Sequence, residues 1–266
     1  MENLNTSIKG KHALPAMDGN PHDVLVVIPT YNERENIEHI VNLALDSTKR
    51  VHVLVVDDGS PDGTGDLADA MAARNPRIHV MHRTGKQGLA SAYLQGFEWG
   101  QAQGYTYLME FDADGSHPAA KIPELIAQLD AGAELVLGSR WVPGGATENW
   151  PLSRQLLSRM AALYCRIWLN SGIRDITAGF RGYRADTLKT FDLSRIGAAG
   201  YCFQIEMAWM YERAGLPVVE VPITFVERVH GNSKMSGNII IEALWRVAAW
   251  GIGYRSRGIQ HVVTGK

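Results

Sequence analysis

Between residues 24 and 140, short apolar runs alternate with segments of helical periodicity, and this alternation limits the possible folds more than any other feature. The apolar runs are long enough for buried strands, and they lie at residues 24–29, 51–56, 78–82, 105–111 and 135–138. Strands that alternate with amphipathic helices form βαβ units, in which helices cover both faces of a parallel sheet. We therefore predict an α/β fold built on a Rossmann-like, mostly parallel sheet.

Composition excludes several classes of protein. The chain has 266 residues, of which 45% are hydrophobic and 20% charged, as expected of a globular protein with a sizeable core. A formal net charge of -2 argues against nonspecific nucleic-acid binding. Cys165 and Cys202 lack the spacing of metal ligands or of a disulfide framework, which favours a reducing compartment.

The chain shows no targeting or membrane-spanning pattern. Residues 1–22 lack the apolar core of a signal peptide and are predicted to form a flexible tail. No run reaches the roughly 18 apolar residues of a membrane span. We therefore expect a soluble or peripheral protein.

Acidic residues follow the predicted strands, at the edge where open parallel sheets bind their ligands. They are Glu33, Asp57, Asp58, Asp112 and Asp114. No G-x-G-x-x-G follows the first run, and residues 85–88 lack the length and the ending of a P-loop. Carboxylates at such an edge suit contacts to a base and a ribose, together with a metal for the phosphates. We predict a nucleotide-binding half at residues 23–140.

The spacing of Asp112 and Asp114 has two readings. In extended backbone, side chains two residues apart point to the same side, and two adjacent carboxylates repel unless a cation lies between them. A hard divalent ion held by carboxylates and substrate phosphates fits that spacing. Asp and Gly are also ordinary turn residues, so this run alone fits a metal site and a simple turn equally well.

The pattern changes after Arg140. Residues 140–151 carry glycines and tryptophans and are predicted to form a mobile lid, and residues 152–170 a long helix. A turn into an extended segment is predicted at 175–181, a helix at 201–213 and a strand at 218–226. An apolar stripe at 238–254 predicts a C-terminal amphipathic helix and tail within residues 236–266. No linker is visible, so residues 23–235 are expected to form one domain, with a second half at 141–235.

Motifs spread along the chain resemble those of one enzyme family. In order they are PTYNE at 29–33, VDDGS at 56–60, DAD at 112–114, GSR at 138–140, ENWPLSR at 148–154, DITAGF at 175–180 and ERVHGNSK at 227–234. Together they resemble the inverting glycosyltransferases of family two, and most closely the polyprenol- or dolichol-phosphate mannose synthases. The ENWPL and ERVHGNSK segments are narrower than the others and carry the closer resemblance.

The resemblance implies a glycosyltransferase A fold, GDP-mannose as donor, Mg²⁺ or Mn²⁺ as metal, and a polyprenyl phosphate as acceptor. It assigns residues by motif. The donor nucleotide set is Pro29, Tyr31, Glu33, Asp57 and Asp58, together with Asp112, Asp114, Arg228 and Lys234. The metal set is Asp112, Asp114 and Ser116, where relatives often place Gln at the third position. The acceptor-phosphate set is Arg140, Arg154 and Ser158, and the residues predicted to be catalytic are Asp112, Asp114, Arg140 and Arg154.

A phosphate acceptor simplifies the chemistry. A phosphate monoester is already anionic near neutral pH, so the acceptor needs no general base, and two arginines can clamp its oxygens bidentately. We predict a single inverting displacement that gives a β-linked mannosyl phosphate. His117 is expected to stabilise a turn or to pack, and not to bind a ligand. Arg159 and Arg166 are expected to be surface charges or to face lipid.

The lipid acceptor also implies a location. A polyprenyl tail leaves a bilayer at a cost of roughly 0.8 kcal/mol per CH₂ group, so we expect the protein on the cytoplasmic face of a membrane, bound peripherally or through an anchoring partner subunit. Three alternatives stay open. They are a polyprenyl-phosphate glucosyltransferase that uses UDP-glucose, a sugar nucleotidyltransferase and an inactive scaffold subunit.

Overall fold

The structure is a computed structural model that describes residues 24–193, 202–227 and 243–253. The strands are β1 (Val24–Thr30), β2 (Val51–Asp57), β3 (Ile78–His82), β4 (Tyr107–Glu110), β5 (Leu135–Ser139), β6 (Ala146–Glu148), β7 (Arg181–Arg184), β8 (Val218–Pro222) and β9 (Thr224–Val226). The helices are α1 (Ile37–Ser47), α2 (Thr64–Ala72), α3 (Leu89–Ala102), α4 (Ile122–Asp130), α5 (Leu152–Leu169), α6 (Ala185–Leu188), α7 (Cys202–Arg213) and α8 (243–253). A 3-10 turn, Ala119–Lys121, precedes α4.

A seven-stranded sheet in the order β3-β2-β1-β4-β7-β5-β8 organises the chain. β1 pairs in parallel with β2 on one side and with β4 on the other, so the order of the strands reverses at β1. β7 lies antiparallel between β4 and β5. The predicted mostly parallel sheet is confirmed, whereas the antiparallel insertion of β7 was not predicted.

Both faces of the sheet are buried, as predicted. Alternate residues of β1 enter two separate cores, with Val24, Val26 and Ile28 facing α1 and α4, and Leu25 and Val27 facing the side of α3. None of these five side chains is exposed, because helices cover the sheet on both sides. Such burial holds the loops at the carboxyl ends of the strands on a rigid base.

Part of the segment predicted as a mobile lid, residues 146–148, forms a strand of a second, two-stranded sheet. β6 pairs in parallel with β9, and the Ala146 N–H donates to the Ile223 carbonyl at 2.9 Å. The predicted strand at 218–226 therefore divides into β8, in the main sheet, and β9, in the small one. Residues 146–148 of the predicted lid therefore pair with a strand that is distant in sequence, which was not predicted, while the mobility of the segment stays a prediction.

Other predictions fall partly outside the described ranges. The helix predicted at 152–170 is confirmed as α5, and the described part of the helix predicted at 201–213 is confirmed as α7. Residues 243–253 of the predicted C-terminal stripe are helical. The tail at 1–22, Arg228 and Lys234 lie outside the described residues. Among the helices that the structure describes, none has the length and apolarity needed to cross a bilayer.

Candidate active site

The carboxyl ends of β1 and β2 bring the first predicted residues together. Thr30 is in register with Asp57, and its hydroxyl donates to Asp57 Oδ1 at 2.9 Å. The Ser60 hydroxyl donates to the same oxygen at 2.6 Å, and the Ser60 N–H donates to Asp57 Oδ2 at 3.0 Å. Asp57 is buried, so its carboxylate acts mainly to hold the turn that follows β2.

Asp58, the next residue, has a cationic partner that the sequence analysis missed. Arg83 Nη1 donates to Asp58 Oδ1 at 2.6 Å, and the Gln87 N–H donates to Oδ2 at 3.3 Å. Burial raises the pKa of Asp58, although Arg83 acts in the opposite direction. Arg83 directly follows β3, which pairs with β2. The sequence could have indicated the ion pair, because it places this cation beside the acidic end of β2.

Tyr31, Glu33 and Pro29 lie around the same strand end. The half-exposed ring of Tyr31 has the Lys86 ammonium 4.6 Å from its centre. The Glu33 carboxylate accepts a hydrogen bond from Asn36 Nδ2 at 3.0 Å, and its backbone N–H donates to Thr64 Oγ1. Pro29 lies in β1. The first five residues of the predicted nucleotide set thus lie at one edge of the sheet, with the Tyr31 ring and Lys86 beside them.

Asp112 and Asp114 lie beyond β4, which ends at Glu110, and residues 113–114 form a turn, as one of the two readings of this run expected. Gly115 closes the turn with φ +75°, a left-handed conformation that suits glycine. Asp114 Oδ1 accepts the Ser116 N–H at 3.0 Å and the Ser116 hydroxyl at 2.5 Å. The hydroxyl of Ser116 therefore orients the Asp114 carboxylate.

Tyr93 holds the side chain of Asp112 in place through a hydrogen bond. Its hydroxyl, on α3, donates to Asp112 Oδ1 at 2.8 Å. Burial, reinforced by the negative charge of Asp112 and Glu110, raises the pKa of Tyr93 well above its usual range, so the phenol stays protonated and donates. Sequence reasoning missed this residue, because nothing in the helical pattern of α3 distinguishes it from a core aromatic.

His117 stabilises the turn, as predicted. Its Nδ1 accepts the backbone N–H of Asp112 at 3.0 Å, and its ring stacks on Phe180 with centroids 5.3 Å apart. An accepting Nδ1 carries no proton, so the imidazole is neutral with its proton on Nε2, which lies 3.7 Å from Asp112 Oδ2. His117 thus positions Asp112 through its backbone.

A buried polar group lies behind the turn. Glu110 accepts a hydrogen bond from the Tyr183 hydroxyl at 2.6 Å and one from Gln204 Nε2 at 3.4 Å. Burial raises the pKa of Glu110 to about 7, although the buried guanidinium of Arg181 acts in the opposite direction. Glu110 lies inside an apolar run, and its role was not predicted.

Arg140, at the end of β5, is held by Asp175. Arg140 Nε and Nη2 donate to the two carboxylate oxygens of Asp175 at 2.7 and 2.6 Å, and the Arg140 N–H adds a third bond at 2.9 Å. The aromatic rings of Trp141, Trp150 and Phe225 each have their centre 5.5 Å from the guanidinium. A bidentate clamp on a phosphate, as predicted, would require this pair to break. Nη1 is the nitrogen that bonds to no described residue.

Arg154, in the first turns of α5, lies over Trp150 with its guanidinium 4.1 Å from the ring centre. Its Nη1 donates to both oxygens of Glu227, beyond the end of β9. Its Nε and Nη2 have no partner among the described residues, so this edge of the guanidinium remains available for an anion. Ser158 lies one helical turn further along, half-buried.

Comparison with known proteins identifies the family. The model of the family described as Glycosyl transferase family 2 matches residues 25–191. The chain belongs to this family. It is therefore a glycosyltransferase, and its acidic turn and Arg140 lie at the edge where open parallel sheets generally bind ligands.

Named relatives cover most of this glycosyltransferase. It is 55% identical over 239 residues to the polyprenol monophosphomannose synthase of Mycolicibacterium smegmatis, in a match that covers 88% of this chain and 90% of that protein. It is 51% identical over 237 residues to the undecaprenyl-phosphate mannosyltransferase of Micrococcus luteus, covering 89% and 97%. The dolichol-phosphate mannosyltransferase of Pyrococcus furiosus is 38% identical over 234 residues, covering 85% and 64%. The resemblance inferred from the motifs is confirmed.

Solved structures confirm the glycosyltransferase A fold. The glucosyl-3-phosphoglycerate synthase of Mycobacterium tuberculosis bound to phosphoglyceric acid has a TM-score of 0.61 at 20% identity, covering 87% of this chain and 79% of that one. The same enzyme with Mn²⁺, uridine diphosphate and glucosyl-3-phosphoglycerate gives 0.61 at 21% identity, covering 86% and 78%. At this identity the likeness shows the fold alone.

The donor atoms of the acidic turn fit a hard divalent cation. Asp112 and Asp114 supply carboxylate oxygens and Ser116 a hydroxyl, which are the ligand types that Mg²⁺ and Mn²⁺ prefer. Within the described ranges, no cluster of three or more His, Cys, Asp or Glu could hold a metal without further ligands. Sites of this kind bind Mg²⁺ through one or two carboxylates and complete its coordination with substrate phosphates and water.

Proposed function

We propose that this glycosyltransferase moves mannose from GDP-mannose to a polyprenyl phosphate with inversion, giving polyprenyl β-mannosyl phosphate and GDP. The observation that carries this proposal is the shared edge of the sheet. The Asp112–Asp114 turn follows β4 and Arg140 follows β5, and β7 alone lies between these strands. An acidic site for a donor diphosphate therefore neighbours a cationic site for an acceptor phosphate. The names of the close relatives support the same sugar and the same class of acceptor.

The donor is bound at the acidic edge. Pro29, Tyr31, Glu33, Asp57 and Asp58 contact guanosine, with Asp57 and Asp58 held in place by their own hydrogen bonds. Asp112, Asp114 and Ser116 would hold Mg²⁺ or Mn²⁺, which would supply positive charge for the departing diphosphate. Arg228 and Lys234, outside the described residues, are proposed to contact the same diphosphate.

The two arginines proposed to bind the acceptor phosphate differ in how many of their nitrogens are available to it. Arg154 offers its Nε and Nη2 to two phosphate oxygens, and Ser158 adds a hydroxyl one turn away. Arg140 offers Nη1, because Asp175 holds the rest of its guanidinium in a fixed position. This division favours one bidentate contact and one single contact over a symmetrical clamp.

The displacement requires no general base. An oxygen of the phosphate forms a bond to the anomeric carbon while the bond from that carbon to the GDP oxygen breaks, so the electron pair leaves with GDP and no proton is transferred. His117 does not serve as a base, since its ring is buried and its Nδ1 is bonded to the Asp112 backbone. Residues of the acidic turn act on the leaving group, and the arginines align the nucleophile.

A polyprenyl acceptor places the enzyme at a membrane. We propose peripheral binding on the cytoplasmic face, alone or with a membrane-anchored partner. The exposed apolar side chains of α5, among them Leu152, Leu156 and Met160, support a helix that contacts lipid.

The test is transfer of radiolabel from GDP-mannose to polyprenyl phosphate, with Mg²⁺ or Mn²⁺ present. We expect a mild-acid-labile lipid product, and a loss of about 10²- to 10³-fold in kcat for Asp112→Asn. Asp130→Asn, a change in an exposed ion pair, serves as the matched control and should retain activity. Absence of lipid product would refute the proposal, whereas turnover with UDP-glucose in place of GDP-mannose would favour the polyprenyl-phosphate glucosyltransferase.

A further inference from the structure

A cavity of about 340 Å³ lies beside α5, outside the residues proposed for donor and acceptor. Arginines make up half of its lining, which contains no carboxylate. The lining residues are Trp141, Arg159, Ala162, Leu163, Arg166 and Arg174. The sequence analysis expected Arg159 and Arg166 to be surface charges or to face lipid, and it gave Arg174 no role.

The polar groups of this cavity are donors without acceptors. Among the described residues, no carboxylate lies within ion-pair distance of Arg159, Arg166 or Arg174. Arg166 Nε and Trp141 Nε1 are buried and have no hydrogen-bond partner there. The Arg159 guanidinium lies 4.6 Å from the centre of the Trp141 ring. Buried donors without acceptors are costly, and an anion with several oxygens, such as a phosphate, would satisfy them together.

An exposed apolar stripe leads along α5 to the mouth of the cavity. Leu152, Leu156, Met160, Leu163 and Ile167 recur at helical spacing, and each is more than half exposed. Leu163 belongs to both the stripe and the cavity lining. The stripe therefore runs along α5 beside Arg159 and Arg166 of the same helix.

Helix α8 widens this apolar surface. The Tyr164 hydroxyl on α5 donates to the Leu244 carbonyl of α8 at 3.0 Å, which places the two helices side by side. Trp245 of α8 is 74% exposed, and Ile252 is 59% exposed. An amphipathic helix with an apolar face and arginines beside it is the pattern of a helix that lies in the plane of a membrane surface.

We propose that the Arg159–Arg166–Arg174 cavity binds the phosphate of an anionic membrane phospholipid while the stripe of α5 enters the acyl region. The proposal rests on the membrane location given above. The cavity does not include Arg140, Arg154 or Ser158, the residues assigned to the acceptor. The Trp141 ring contacts both sites, with the Arg140 guanidinium 5.5 Å from the ring centre and that of Arg159 4.6 Å from it. A bilayer phospholipid supplies both a phosphate and the apolar tails that the stripe requires.

The experiment is co-sedimentation of the full chain with vesicles of phosphatidylcholine alone and of phosphatidylcholine mixed with phosphatidylglycerol. We expect the wild type to prefer the mixed vesicles. Arg166→Gln and Arg174→Gln should each weaken that binding about fivefold, and the double variant about 25-fold, since a basic residue near an anionic surface contributes about this factor. Arg166→Lys should retain most of the binding.

Control variants distinguish the effect of the cavity arginines from that of other surface charges and from that of the apolar stripe. Arg74→Gln, which removes an exposed arginine after α2, should change binding less than twofold. Met160→Gln and Ile167→Gln should weaken binding to both kinds of vesicle, because they act on the apolar contact. Thermal melting of each variant verifies that it is folded.

Three results would overturn the proposal. One is equal binding of the Arg166→Gln/Arg174→Gln variant and the wild type to phosphatidylglycerol vesicles. Another is a loss no larger than that of Arg74→Gln. The third is a higher KM for polyprenyl phosphate in the double variant than in the wild type, measured in detergent with no phospholipid present. That result would make the cavity part of the acceptor site. If the wild type binds neither kind of vesicle, the membrane location itself fails, and mannose transfer in detergent still tests the enzymatic proposal separately.

Discussion

Arg140 and Asp175 form a buried ion pair on which the proposed acceptor site depends. The Asp175 side chain is fully buried, and that of Arg140 is 9% exposed. Removal of one partner from a buried pair leaves a charge without compensation, so we expect Asp175→Asn to lower the free energy of unfolding by about 3–5 kcal/mol. Urea denaturation followed by circular dichroism would measure it. The position of the Arg140 guanidinium should also become less defined, with a higher KM for the acceptor.

A matched exposed pair provides the control. Arg50 and Asp130 pair at 2.7 Å with side chains 25% and 43% exposed. Solvent screens such a pair, and Asp130→Asn should cost no more than about 1 kcal/mol. If Asp175→Asn and Asp130→Asn lower the free energy of unfolding by similar amounts, burial of the Arg140–Asp175 pair does not increase its contribution to stability.

The tautomer of His117 gives a second prediction at single residues. Asn at position 117 can present its side-chain oxygen where Nδ1 lies, whereas the longer Gln places its oxygen closer to the position of Nε2. We expect His117→Asn to retain more mannosyl transfer than His117→Gln, because only the former can accept the Asp112 N–H. Loss of that bond leaves a donor unsatisfied, at about 1–3 kcal/mol.

Kinetics of the two variants, with thermal melts of each, would measure the difference. Nitrogen NMR of the wild type provides an independent observation, since Nδ1 should carry no proton at neutral pH. Equal activity of the two variants, or a protonated Nδ1, would contradict the assignment.

At the scale of elements, two histidines on neighbouring strands pack with a tyrosine from the loop before β4 and a tryptophan from α3. His79 on β3 stacks with His52 on β2, and the Tyr105 hydroxyl lies 2.9 Å from His52 Nδ1 and 3.3 Å from His79 Nε2. Trp99 of α3 covers His79 with ring centres 5.0 Å apart. Burial, together with the smaller electrostatic effect of His52, lowers the pKa of His79 to about 4. His79 is therefore neutral in the folded protein at ordinary pH.

This shift makes stability fall with acid. The unfolded chain binds a proton at His79 near pH 6.5 and the folded chain only near pH 4, so between these values the unfolded state binds more protons. The His79 contribution is complete above pH 6.5 and is lost as pH falls towards 4. We expect the Tm of His79→Gln to fall less than that of the wild type between pH 7.5 and 5, by on the order of 3 °C. Parallel Tm profiles would exclude a role for His79.

Periodicity predicted most elements and missed those that tertiary pairing creates. The alternation of apolar runs and helices located β1 to β5 because each of these strands is buried on both faces. β6 is three residues long and exists because β9 pairs with it across a long stretch of chain. β7 carries Arg181 and Arg184 and has no strand-like alternation, so its place between β4 and β5 could not be read from its composition.

For the whole molecule, sequence predicted which residues meet at the edge of the sheet better than how those residues are held. Motif residues at the carboxyl ends of β1, β2, β4 and β5 meet at one edge because the sheet topology requires it. Their partners come from distant parts of the chain. Arg83 holds Asp58, Tyr93 contacts Asp112, and Asp175 holds Arg140. Such pairs depend on side-chain packing, which no local pattern records.

The last prediction concerns the ligand-bound stability of the whole chain. A ligand that binds only the folded state stabilises it by about 2.7 kcal/mol at a concentration 100 times its Kd, which for a chain of this size raises Tm by about 5–10 °C. We expect GDP with Mn²⁺ to produce this rise in the wild type, because the acidic turn and the Asp58 edge then share one ligand. GDP alone should give a much smaller rise, and Asp114→Asn should abolish the effect of Mn²⁺. Asp130→Asn, far from that edge, should respond as the wild type does. A larger rise with UDP and Mn²⁺ than with GDP and Mn²⁺ would contradict the guanosine assignment of Tyr31, Glu33 and Asp58, and a thermal melt of each mixture measures it directly.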